Sequence, residues 1–144
     1  MRSMHDAFNR WIQQLGQYPH LAEVYYRGIH DFKSLEPTDF VRFSALLNQA
    51  FRDIEELYYL QAEGHLERRV WRGWERAIRD FNGYPGVQAW WRLRSHWFSE
   101  EFVKFIDQVQ QTFNFSKPHA QVFRDLAILQ CCKLNCLRAV SQIT

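Results

Sequence analysis

A chain of 144 residues with 47% apolar content fits one domain with a buried core and argues against disorder. The formal net charge of +2 argues against a uniformly basic or acidic surface. No apolar run reaches the ~18–20 residues that span a bilayer, and no signal-peptide pattern opens the chain, so a cytoplasmic protein is expected, near a membrane only through a partner. Aromatic residues are abundant at 17%, including six Trp. Charge is uneven: residues 1–65 carry −3, and residues 66–144 carry +5.

The first segment, about Met4 to Leu15, places Phe8, Trp11, Ile12 and Leu15 on one helical stripe. Gly16 is suited to close it as a left-handed residue. Tyr18-Pro19 restarts the chain, since proline is tolerated in a first helical turn. Leu21, Ala22, Val24, Tyr25 and Ile29 then make a short helix. Gly28 ends that helix or lets a neighbour pack closely, and His30 to Glu36 reads as a loop.

Thr38 to Glu63 is the organising element. Phe40, Phe43, Leu47, Ala50, Phe51, Ile54, Leu57, Tyr58 and Gln61 recur at three- and four-residue steps, on one face of a helix about 39 Å long. Thr38 is the expected N-cap, with Pro37 at the first helical position reading almost as well. Glu55 lies at the edge of the stripe, while Glu56 and Tyr59 fall on its far side. Gly64 is placed to end the helix.

Leu66 to Phe81 carries Leu66, Val70, Trp74, Ala77, Ile78 and Phe81 on one face. Arg68, Arg69, Arg72, Arg76 and Arg79 occupy a sector of roughly 100° opposite. Glu75 is spaced to pair with Arg72 and Arg79, and Asp80 with Arg76, which would make this a solvated face. The turn Asn82-Gly83-Tyr84-Pro85-Gly86 leads into a short helix with Val87, Ala89, Trp90, Trp91, Leu93 and Trp97. Trp90 and Trp91 point about 100° apart, so one is expected in the core and the other over the turn or a partner. Ser99 is the expected cap of the next helix, with Phe102, Ile106, Val109 and Phe113 as its stripe. A last helix, about His119 to Val140, is expected after Pro118.

No segment alternates with period two. The expected fold is all-α: a single compact domain over 1–144, with six or seven helices around one long central helix, about 38–63. Residues 113–144 are left open as a peripheral C-terminal helix.

Cys131, Cys132 and Cys136 form an odd, clustered set, a poor disulfide framework that reads as free thiols in a reducing compartment. There is no Gly-rich phosphate loop and no nucleophile motif. The six His are dispersed, and the two Glu-x-x-His repeats of a helical di-metal site are missing. Arg27 with His30, and Arg92 with His96, lack the interval of the small helical nucleases. No cofactor, no metal and no small-molecule substrate are expected, and the balance is against an enzyme.

Residues of about 8–107 resemble a small bacterial family of uncharacterised helical proteins. The likeness rests on Pro19 to Gly28, Leu35-Glu36-Pro37, Arg42-Phe43, Glu56 with Tyr59 and Gly64, Trp71 with Trp74, and Pro85-Gly86-Val87 with Trp90-Trp91. The Pro-Gly-Val-x-x-Trp-Trp element is the most specific of these. Many such proteins look like one membrane-spanning helix followed by this domain; this chain lacks the span, and its tail after about Thr112 has no counterpart. The resemblance implies an all-α fold, bacterial origin and membrane proximity, and no activity.

Three functional readings follow. The first is a non-enzymatic protein-interaction domain, self-associating or membrane-adjacent, using an exposed patch of Trp90 or Trp91 with Tyr25 or Tyr26. Glu56 and Tyr59, near the end of the long helix, are further candidates for contact. The second is a nucleic-acid-binding module using the arginine face, with Arg92 and Arg94 extending it. The third is an enzyme or metal carrier using Glu55, Glu56, Glu63 or His65.

Overall fold

The computed structural model describes residues 4–114. The helix expected at about 119–140, the three cysteines and the 113–144 assignment lie essentially outside that range. The chain divides into two units, Met1–Gln111 and Thr112–Thr144, and the core described below belongs to the first.

Among the described residues the fold is all-α. Six α-helices follow in order: α1 (Met4–Gln17), α2 (Pro19–Asp31), α3 (Pro37–Ala62), α4 (Arg68–Asn82), α5 (Pro85–Arg94) and α6 (Glu100–Asn114). Single 3-10 turns, Phe32–Ser34 and Ser95–Trp97, follow α2 and α5. The long central helix is therefore present within a residue of its expected limits. Its first helical residue is Pro37, with Glu36 before it, so proline rather than Thr38 sets the start.

Of the three glycines expected at helix ends, one acts as a boundary. Gly64 has φ of +77°, and the His65 and Gly64 amides donate to the Leu60 and Gln61 carbonyls at 2.8 and 3.1 Å. This double bond satisfies carbonyls that a helix end otherwise leaves unpaired. Gly16 does not act this way: α1 runs through it to Gln17, and its φ is not positive. The Tyr18 amide donates to the Gln14 carbonyl at 3.1 Å, carrying the helical pattern up to Pro19. Gly28 is buried inside α2 rather than ending it, because the ring of Phe43 occupies the space a Cβ would take. The expected loop from His30 to Glu36 is correspondingly short. Helix and 3-10 turn use most of it, with the Asp31 carboxylate accepting from the Lys33 amide.

α3 is the spine, and it packs against α1, α2, α4 and α5. Phe43, Leu46, Leu47, Phe51 and Leu57 are buried along it. α2 and α5 meet where Gly86 lies on the backbone of Gly28; a Cβ at Gly86 would fall within the Gly28 carbonyl. No side chain fits between the two helices at that point.

The Trp pair departs from expectation. Trp90 and Trp91 are both buried, at 0% and 1% exposure. The reason is that α5 is covered on two sides. Trp90 stacks on Phe51 of α3 at 5.5 Å and donates its indole N–H to Ser44 Oγ at 2.9 Å. Trp91 meets Phe102 of α6 edge-on at 5.8 Å and donates to Asp107 Oδ1 at 2.9 Å. Adjacent residues 100° apart can both be interior when a helix has neighbours on both flanks, and each N–H then needs a partner.

α6 is anchored by polar contacts as well. Asn82, fully buried at the end of α4, accepts from Gln110 Nε2 at 2.8 Å and donates to the Ile78 carbonyl at 2.8 Å. Ser99 precedes α6, yet its hydroxyl is turned towards α3. Both its amide and its hydroxyl donate to Glu55 Oε2, at 3.0 and 3.1 Å, and it accepts from Tyr59 at 2.6 Å. A carboxylate from 44 residues earlier thus serves the start of the helix.

Candidate functional site

The expected site residues do not converge. Trp90 and Trp91 are core residues, so the exposed patch built on them is overturned. Of its other members, Tyr25 is partly buried and Tyr26 is 40% exposed, against His30. Tyr59 bonds Ser99 as described, whereas Glu56 is exposed. Glu55 is held by Ser99 and by Arg52 Nη1 at 3.2 Å, while Arg52 Nη2 donates to the Trp97 carbonyl and its guanidinium lies 4.2 Å from the Phe98 ring centre. Glu63 and His65 sit 3.7 Å apart on the surface. Among the described residues no three His, Cys, Asp or Glu side chains gather closely enough to hold a metal ion.

The arginine face of α4 is different from its expectation in one respect. Arg68, Arg69, Arg72, Arg76 and Arg79 are all exposed. Among the described residues only Arg69 is paired, with Glu67 at 3.6 Å; Glu75 and Asp80 do not pair with Arg72, Arg76 or Arg79. The face is less neutralised than its spacing implies. Arg94 does not extend it: its Nε is buried without a partner and its guanidinium lies 4.8 Å from the Trp97 ring centre.

An aromatic-walled concavity lies elsewhere among the described residues. A half-open cleft of about 260 Å³ runs between α1 and α4 with α3 as its floor. Phe8 and Trp11 of α1, Trp74 and Phe81 of α4, and Tyr25 with Tyr84 supply its aromatic walls. The rings are placed by one another. Phe8 meets Trp74 edge-on at 5.0 Å, and Trp11 meets Tyr25 edge-on at 5.2 Å. Trp11 is fixed further by its indole N–H, which donates to the Leu46 carbonyl at 2.9 Å. Burial pushes the Tyr25 hydroxyl well above its ordinary pKa, with Tyr84 adding to the rise, so it stays protonated.

Apart from those tyrosines, the polar side chain of the cleft is Asp53. It stands on the α3 floor among Ala50, Ile54 and Leu57. Burial raises its carboxyl above the ordinary value, Glu56 raises it further, and Arg10 opposes. Phe8, 37% exposed, lies at the mouth; Ile12 and Val70, 46% and 38% exposed, each lie one helical turn from a lining residue. One signal for Asp53 is present in the sequence. It is three residues after Ala50 and four before Leu57, an acid set on the apolar stripe itself.

No family model, no curated protein and no solved structure matches this chain. Among the described residues no helix is long and apolar enough to cross a membrane.

Proposed function

We propose that the protein is a non-enzymatic interaction domain and that the cleft between α1 and α4 receives an apolar side chain of a partner protein. One observation supports this reading above the others: the cleft is open and aromatic-walled, with Phe8 exposed at its mouth. A preformed apolar cavity fed by exposed hydrophobic residues is the common form of an anchor pocket. This surface takes over the role first expected of the Trp pair. A cytoplasmic site of action beside a membrane, and self-association as one form of the interaction, belong to the same proposal.

A second reading rests on the arginine face, of which only Arg69 is paired, and which suits a polyanion such as nucleic acid. One experiment separates the two. Tagged protein is used to capture partners from its own cells, alongside Ala77→Trp, which fills the cleft, and an Arg72→Glu, Arg76→Glu double variant. Loss of a specific protein with Ala77→Trp alone supports the anchor pocket. Capture of nucleic acid, abolished by the double variant and by ~200 mM salt, supports the arginine face instead. Capture unchanged by Ala77→Trp overturns the pocket.

A further inference from the structure

Asp53 makes the cleft more particular than an apolar anchor pocket. Among the described residues no hydrogen bond or ion pair reaches its carboxylate, and it shares the lining of the cleft with Trp11, Trp74 and the floor of α3. Its electrostatic neighbours are Glu56, which adds negative charge, and Arg10, which opposes it. An apolar group entering the cavity strips water from that carboxylate and gives nothing in return, at a cost in free energy. A cation entering with it restores the lost interaction. Trp11, Trp74 and Tyr25 line the same cavity, and an aromatic ring attracts a cation that reaches its π-face. An anionic group is disfavoured on both counts.

The cavity, about 260 Å³, is of the size of one or two side chains, and hydrophobic surface continues beyond it at Phe8, Ile12 and Val70. That continuation favours a peptide, which covers the rim as well as the pocket, over a free small amine. We infer that the occupant of the cleft is a basic amphipathic peptide segment of the partner, with an aromatic or aliphatic side chain inserted between Trp11 and Trp74 and a neighbouring lysine ammonium on Asp53. The inference rests on the reading of the cleft as a receptor for a partner side chain.

The test uses the full chain and blocked tripeptides of sequence leucine–phenylalanine–lysine, with norleucine or glutamate replacing lysine in two controls, and free 3-phenylpropylamine as a fourth probe. Binding is read by calorimetry. The lysine peptide is expected to bind about tenfold more tightly than the norleucine peptide, and the glutamate peptide most weakly. Asp53→Asn is expected to bring the lysine and norleucine peptides to within about twofold of each other, leaving the norleucine affinity in place. Ala77→Trp is expected to abolish all binding. Equal affinity of lysine and norleucine peptides, abolished by Ala77→Trp, overturns the cationic occupant while the receptor reading stands. Binding of phenylpropylamine without any peptide overturns the peptide. Binding of no probe overturns the inference and removes the support for the cleft as a receptor.

Discussion

Two aromatic assemblies share the long helix and are closed to different degrees. Between α3, α5 and α6, the rings of Phe51, Trp90, Trp91, Phe98 and Phe102 fill their space, and all five residues are buried. Between α1, α2, α3 and α4, the rings of Phe8, Trp11, Tyr25 and Trp74 leave a cavity with a carboxylate in its lining. Phe and Trp make up most of both. What differs is how many helices cover them: α5 is flanked on both sides, whereas α1 inserts Trp11 and leaves Phe8 and Ile12 outside. An aromatic surplus therefore marks neither core nor site; the number of neighbouring elements decides.

Substitutions that empty each assembly should sharpen this contrast. Trp91→Ala should cost ~3–5 kcal/mol of unfolding free energy, because it leaves a closed cavity, whereas Trp74→Ala should cost only ~1–2 kcal/mol because the cleft is already open. Urea midpoints measure both, and equal losses would erase the distinction. Gly86→Ala should cost ~3 kcal/mol or more, since its methyl group meets backbone that cannot turn aside. Its companion Gly73→Ala, where nothing lies within 4 Å, should stabilise by ~0.5–1 kcal/mol. A smaller loss, ~1 kcal/mol, is expected for Ser99→Ala, which keeps the amide bond to Glu55 and removes the hydroxyl one.

The smallest effect is one of sign. The folded protein holds the Asp53 carboxyl above its ordinary pKa and the Asp39 carboxyl, beside His20 and Arg42, below it. Stability linked to Asp53 is full at low pH and is lost as pH rises through its folded value; stability linked to Asp39 is present at neutral pH and lost as pH falls. Asp53→Asn should therefore raise the midpoint at pH 7 and leave it unchanged near pH 3, while Asp39→Asn should lower it at pH 7 and by less as pH falls. Midpoints that move in the same direction for both variants would contradict the assigned environments.

The fold was largely legible because helical periodicity is a one-dimensional signal. The stripe of α3, the arginine face of α4 and the Phe102, Ile106, Val109 stripe all correspond to observed surfaces. What failed depended on third parties. Trp90 and Trp91 could not be assigned from their own angles on a wheel, because burial of the second needs α6 beside α5. Ser99 has the residue type and place of a local cap, yet its hydroxyl bonds Glu55 and Tyr59 on α3. Gly16 carried the residue type of a helix end without the left-handed backbone. The cleft is not legible in the sequence for the same reason. Phe8 and Trp11 lie on one helical stripe, Trp74 and Phe81 on another, and Asp53 is a single acid inside an apolar stripe. Nothing local to any of these joins them; the packing of α1 beside α4 does.

The two glycines at the crossing of α2 and α5 differ in how an error there could be repaired. A Cβ at Gly28 meets the ring of Phe43, a side chain, whereas a Cβ at Gly86 meets the backbone of Gly28 and Ile29. A second-site suppressor is therefore available for the first and not for the second. Gly28→Ala should be rescued in part by Phe43→Leu, which withdraws the obstructing ring. No side-chain change elsewhere should rescue Gly86→Ala, so a selection for revertants of that variant should return only glycine at position 86.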